Sequence, residues 1–319
     1  MKQLLQKITG VTLAILVGLG LAVTSVTVNA AGERFVFVSH APDSDSWWNT
    51  IKNALKEAEK DLKVTVEYRN PPTGDLADMA RIIEQAVASN PDGLITTIAD
   101  FDVLKGSIEK AVRKGIPVVT VNSGTHEQSE KLGAMFHVGQ PEFDAGYGAG
   151  KRAKAEGVSG FLCVNHYITN PASVERCNGY AEALGVELGD QMIDAGSDPT
   201  TVETRVAAYL RKNPKTQAIL ALGPNSAEPT YHLLKKNGMA GKIHFSTFDV
   251  SGEIVKGIKD GTIAFAIDQQ PFLQGYMPIV ALTLNAKYGI APGNHINSGP
   301  GFVTKENVEL VEKLAGEYR

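Results

Sequence analysis

The stretch FVFVSHAPDSDSWW, residues 35–48, decides how the rest of the chain is read. Phe35, Val36, Phe37 and Val38 have strand-forming side chains, and the run ends abruptly at Ser39 and His40. A turn-rich loop with Asp43 and Asp45 follows. Then come the chain's only two tryptophans, Trp47 and Trp48, where a helix is predicted to begin. In open α/β sheets ligands sit outside the carboxyl ends of strands, so these side chains are candidates for a binding surface. The plainer alternative is that both indoles anchor the first helix to the sheet. Neighbouring helical residues point about 100° apart, so at least one indole is expected to face something other than the core.

Before this stretch lies a leader. Lys2 and Lys7 form a basic start, an uncharged apolar run follows, and Val28-Asn29-Ala30 has the small residues that a signal peptidase needs. Cleavage is expected after Ala30. The apolar run is short and interrupted for a membrane span of about 20 residues. The predicted destination is the periplasm. Losing Lys2 and Lys7 leaves 29 basic against 35 acidic side chains, which argues against nucleic acid, whose phosphates demand a basic surface.

After residue 35, β-rich runs alternate with amphipathic helical ones. Strands are predicted near 35–39, 64–68, 93–97 and 116–122, with helices between them whose apolar residues follow helical spacing. Such a rhythm calls for parallel sheets with right-handed crossovers. It breaks in a polar loop, Ser123–Ala134, and resumes in a second series, closed by a helix over Lys305–Glu317. Gly139-Gln140-Pro141, Asp268-Gln269-Gln270-Pro271 and residues 294–302 are predicted crossings. The fold class is α/β, with two doubly wound parallel-sheet domains joined by a three-strand hinge. One lobe is expected to hold residues 33–138 and 270–295, the other 139–269 and 296–319.

Several chemistries can be set aside. Gly146-Tyr147-Gly148-Ala149-Gly150-Lys151 lacks the Walker spacing, with Ala145 and Arg152 at the deciding positions, and its small residues suit close helix packing. Asp43-Ser44-Asp45 lacks the glycine and glutamate of a calcium loop. The seven histidines form no HExxH pair, and there is no G-x-S-x-G elbow. No metal and no cofactor are expected. Cys163 on a strand and Cys177 in the next helix could match in height, so a disulfide is favoured over two buried thiols.

What remains is a series of polar residues at predicted strand ends: Ser39, His40, Asn122, Asn165, Asn225, Asp249, Asp268 and Gln269, with Arg176 just inside a helix. Each taken alone is as readily a cap or a turn residue. Their recurrence at strand after strand places them in one cleft between facing domains. Asp accepts from hydroxyls, Arg donates a planar fork, and Asn and Gln do both. That set suits a small polyhydroxylated ligand beside the indole faces of Trp47 and Trp48.

These residues also carry a resemblance. Ser39 with Asp45-Ser46-Trp47-Trp48, Val119-Thr120-Val121-Asn122-Ser123, Glu175-Arg176-Cys177-Asn178-Gly179-Tyr180, Gly223-Pro224-Asn225-Ser226, Phe248-Asp249 and Asp268-Gln269-Gln270-Pro271 stand in order along the mature chain. In that order and spacing the chain resembles the periplasmic solute-binding proteins of sugar ABC transporters, the ribose/galactose-binding group of the type I fold. The resemblance implies a sugar or polyol ligand gripped by Asp45, Arg176, Asn225, Asp249 and Gln269. It also implies hinge closure, delivery to a membrane permease, and a monomer. Asn122-Ser123 stands where ribose binders commonly have Asp-Arg, which points away from plain ribose. Alternatives are an autoinducer-2-like signal binder, a binder presented to a chemoreceptor, and a secreted sugar-modifying enzyme using Asp45 and Asp249.

Overall fold

A computed structural model describes residues 32–319. The expected leader, with its cleavage after Ala30, lies outside the described residues.

Phe35, Val36, Phe37 and Val38 are all fully buried, but in two different cores. Strand side chains alternate between faces, so Phe35 and Phe37 pack with Trp48, Ile51 and Ile279. Val36 and Val38 pack with Met79, Ile83, Leu104 and Ile108 on the opposite face. A continuous apolar strand is what a sheet covered on both sides requires.

The first series runs β1 (Arg34–Val38), α1 (Asn49–Leu62), β2 (Thr65–Arg69), α2 (Leu76–Ala88), β3 (Gly93–Thr96), α3 (Phe101–Arg113), β4 (Val118–Val121), α4 (His126–Lys131) and β5 (Phe136–Gly139). The second runs α5 (Glu142–Ala155), β6 (Phe161–Asn165), α6 (Pro171–Leu184), β7 (Met192–Asp194), α7 (Pro199–Lys212), β8 (Ala218–Ala221), α8 (Pro224–Lys236), β9 (His244–Phe248), α9 (Gly252–Lys259) and β10 (Phe265–Asp268). Last come α10 (Pro271–Tyr288), β11 (Ile296–Asn297), β12 (Gly301–Val303) and α11 (Glu309–Glu312).

These strands form two six-stranded sheets, ordered β11-β5-β4-β3-β1-β2 and β12-β10-β9-β8-β6-β7. The chain crosses between lobes at Gln140-Pro141, at Gln269-Gln270, and between β11 and β12. Each strand of the first lobe thus has a counterpart in the second, with β1 matching β6 and β4 matching β9.

Four expectations are corrected. Residues 123–134 are not simply a loop, because Thr125 and Gln128 form a reciprocal capping box that starts α4. The terminal helix is confined to Glu309–Glu312. Beyond it, Tyr318 meets the Phe272 ring and the Glu317 carbonyl accepts from Asn53, so tertiary contacts win over helical propensity. Ile296 and Asn297 pair with β5 and so belong to the first sheet rather than to the second lobe, which leaves residues 298–300 as the crossing, inside the expected 294–302. The pairing of β10 with β12 is antiparallel, an edge exception in otherwise parallel sheets.

The glycine cluster is a packing device. An added Cβ at Gly146 would collide with the Arg176 carbonyl, and one at Gly179 with that of Phe143. Cys163 sits on the face of β6 that meets α6, and it is bonded to Cys177 with their Cα atoms 6.0 Å apart.

Candidate ligand-binding site

The carboxyl ends of both sheets open onto one cavity of about 240 Å³ between the lobes. Its walls include His40, Asp45, Trp47 and Trp48 from the first lobe. Arg176, Asn225 and Asp249 come from the second, with Asn122 and Gln269 near the crossings. The volume lies below the range of drug-sized pockets, about 300–1,000 Å³. It suits one small ring.

Three of the expected residues are elsewhere. The Ser39 hydroxyl is 2.6 Å from the Tyr68 hydroxyl and accepts from the Ala41 backbone N–H, closing the turn after β1. Asn165 Oδ1 accepts from the Tyr167 backbone N–H, an Asx turn that shapes the loop after β6. Asp268 Oδ1 accepts from the Gln270 backbone N–H, and Oδ2 is 2.8 Å from the Arg319 guanidinium. None of these side chains lines the cavity.

The two tryptophans divide their work. Trp48 is buried against Phe37 and Ile51 in the core, with one edge reaching the cavity. Trp47 is half-buried and meets Trp48 edge-on, with ring centroids 5.2 Å apart. Asp45 sets up the pair: its Oδ1 accepts from the Trp47 backbone N–H and caps the 3-10 turn Ser46–Trp48. Burial raises the Asp45 pKa, opposed by that backbone bond and by Lys52.

Arg176 is held more firmly than its place in a helix suggests. Its Nε and Nη2 donate to the two oxygens of Glu142 at 2.7 and 2.9 Å, and Nη1 donates to the Leu222 carbonyl. Phe248 lies beneath the guanidinium, 4.4 Å from its carbon. Five N–H groups on a guanidinium leave two more for the cavity. Burial pulls the Arg176 pKa down, but the Glu142 charge and hydrogen bonds outweigh it, and the net shift is upward. Glu142 escaped notice in the sequence because nothing local marks it: it opens α5, 34 residues from its partner.

At the crossings, Gln269 reaches both lobes. Asn122 Nδ2 donates to its Oε1 at 3.2 Å, and its Nε2 donates to Asp249 Oδ1 at 2.6 Å. Gln274 and Ser298 complete the buried network, with Gln274 Nε2 donating to Ser298 Oγ at 3.0 Å. Asn122 and Asp249 follow the matching strands β4 and β9, and both have left-handed backbones, φ 60° and 65°. Asn and Asp tolerate that region better than other side chains. Burial pushes the Asp249 carboxyl up to about 7, against the opposing pull of Arg176 and of the Gln269 hydrogen bond.

His166, Tyr167, Asn170 and Ser173 also line the cavity. Asn170 Nδ2 donates to Ser123 Oγ across the cleft at 2.9 Å, and its Oδ1 caps α6. Asn before proline is a helix-start signal, and the Asn170-Pro171 pair could have revealed it. Among the described residues no cluster of three or more His, Cys, Asp or Glu side chains could hold a metal ion.

The sequence profile described as "periplasmic binding protein domain" matches residues 35–289. A solved structure of a carbohydrate transporter from Acidothermus cellulolyticus, in complex with myo-inositol, is similar at 32% identity and a TM-score of 0.83. That match covers 90% of this chain and all of the other. Among curated proteins, the xylose/arabinose-binding protein XylF of Sulfolobus acidocaldarius is 22% identical, over 86% of this chain and 72% of its own length. The ribose import binding protein RbsB of Haemophilus influenzae is 24% identical, over 86% and 92%. These relatives are named for binding and transport, and none for a reaction.

Proposed function

The chain belongs to the periplasmic binding protein domain family, and we propose that it captures a small uncharged sugar or cyclic polyol between its lobes for delivery to an ABC transporter permease. The observation that carries this reading is the convergence of both sheets' strand ends on one small cavity bridged by Gln269. The ring would lie between Trp47 and Trp48 and the polar groups Arg176, Asn225, Asp249 and Gln269. Arg176 enters the site with its charge already met by Glu142, so it offers donors without demanding an anion. That favours a neutral ligand over a sugar acid or a sugar phosphate.

Capture proceeds by rotation of the lobes about the three crossings, a hinge closure that removes the ligand from water. The leader expected over residues 1–30 delivers the protein to the periplasm. The names of the relatives support pentoses, and the neighbour solved with myo-inositol supports a cyclitol. Thermal unfolding with myo-inositol, D-ribose, D-xylose and D-arabinose tests the reading. A ligand at 100 times its Kd adds about 2.7 kcal/mol of stability, so one of the four should raise Tm by several degrees. A cavity that responds instead to a sugar phosphate, and to none of the four, would overturn it.

A further inference from the structure

The two imidazoles in the cavity come from matching places in the two lobes. His40 follows β1 and His166 follows β6, and both line the cavity. Each ring is tied to its own lobe through Nδ1. His40 Nδ1 is 3.0 Å from Thr97 Oγ1, just after β3, and His166 Nδ1 is 3.4 Å from Ser226 Oγ, in the first turn after β8. β3 and β8 are themselves counterparts. Each Nε2 is left without a partner among the described residues. The halves also touch here, with the ring centroids of His40 and Tyr167 5.4 Å apart.

We propose that His40 and His166 form a clasp, one jaw from each lobe, that hydrogen-bonds hydroxyl groups of the ligand through Nε2 and closes only while both imidazoles are uncharged. The proposal rests on the capture of a polyhydroxylated ligand argued above. Two imidazolium groups brought into one enclosed cavity would repel each other and lose their water.

The surroundings agree. Trp48 meets His40 edge-on, and Tyr167, Thr97 and His166 are its other neighbours. His166 faces Ser226 and Arg176, and it shares with Asp249 Oδ2 the space that a side chain at Gly223 would fill. Burial, then the neighbouring His166, holds His40 down at about 3, while burial, then Arg176, holds His166 down at about 4. In an open cleft both would return toward the ordinary value near 6.5. Closure therefore expels protons below that pH, and affinity falls as the solution is acidified. Asp249 works against this: burial raises its pKa, so it takes up a proton on closure.

Calorimetric titration at pH 6.0, in two buffers of different ionisation enthalpy, counts the protons released. Myo-inositol, D-ribose, D-xylose and D-arabinose are the probes. An imidazole of ordinary pKa carries about three quarters of a proton at pH 6.0. His40→Gln and His166→Gln should each lower the number released by about that amount, while the Asp249 contribution stays common to all three proteins. His40→Asn and His166→Asn, which keep an amide near Thr97 and Ser226, take their place if either glutamine variant fails to fold. Binding with a proton count unchanged by both substitutions overturns the clasp alone. Absence of binding by all four probes at pH 7.5 overturns the capture reading and the clasp with it.

Discussion

Asn122 and Asp249 hold opposite ends of one amide. Asn122 donates to Gln269 Oε1, and Asp249 accepts from Gln269 Nε2. A carboxamide has one acceptor end and one donor end, so only glutamine or asparagine can satisfy both neighbours at once, and only glutamine has the length found here. Gln269→Ala should leave a buried donor on Asn122 and a buried carboxyl on Asp249 unsatisfied, at about 1–3 kcal/mol each. The expected result is a lower urea midpoint and at least tenfold weaker ligand binding. An unchanged midpoint would show that water replaces the bridge.

Arg176 makes a different prediction from the one its helix position suggests. Removing it strands the Glu142 carboxylate, only 5% exposed, without its cation. Breaking a buried pair at one partner costs about 3–5 kcal/mol. Arg176→Met should therefore be strongly destabilised, and Arg176→Met with Glu142→Gln should recover most of the loss without recovering binding. Denaturant unfolding of the single and double variants checks this, and a fully stable single variant would count against it.

Asp249 couples stability to pH. Its folded pKa is raised from 3.8 to about 7 by burial. A raised pKa contributes stability that is full below the unfolded value and is lost as pH rises through the folded one. In the closed form the Asp249 contribution should be lost between about pH 4 and pH 7, against the opposite trend of the buried His40 and His166, so it is read as the difference from Asp249→Asn, which lacks it. The variant's Tm should exceed wild type at pH 8 and approach it near pH 4. A difference in Tm independent of pH would sink the assignment.

The disulfide should matter to stability and little to binding. Cys163 and Cys177 are 14 residues apart, and closing a loop of about 15 residues is worth about 3 kcal/mol in the chain-entropy account. Cys163→Ala with Cys177→Ala should lower stability by about that amount and leave Kd within a few-fold. A loss of affinity beyond tenfold would place the bond in the site's support.

Much of this architecture was legible from local signals. The four-residue run at 35–38 has the unbroken apolarity of a strand buried on both faces, and the recurrence of polar residues at strand ends located part of the cavity wall. What failed was context. Ser39, Asn165 and Asp268 carry the right chemistry at strand ends, but each is spent on the turn beside it. Glu142 and Arg176 meet across 34 residues, and no periodicity announces a pairing made only by packing two helices. The terminal segment has helical character, but its contacts with Asn53 and Phe272 outweigh that preference.

The tight seating of α5 on α6 has a mechanical consequence. Glu142 lies two residues beyond Gln140 at the first crossing, and its carboxylate grips Arg176 while the glycines lock the two helices backbone to backbone. Arg176 is thus geared to the crossing and has little play of its own. A turn of the chain at Gln140-Pro141 would therefore carry the guanidinium with it. A side chain added at Gly146 or Gly179 would detune that linkage from outside the cavity wall.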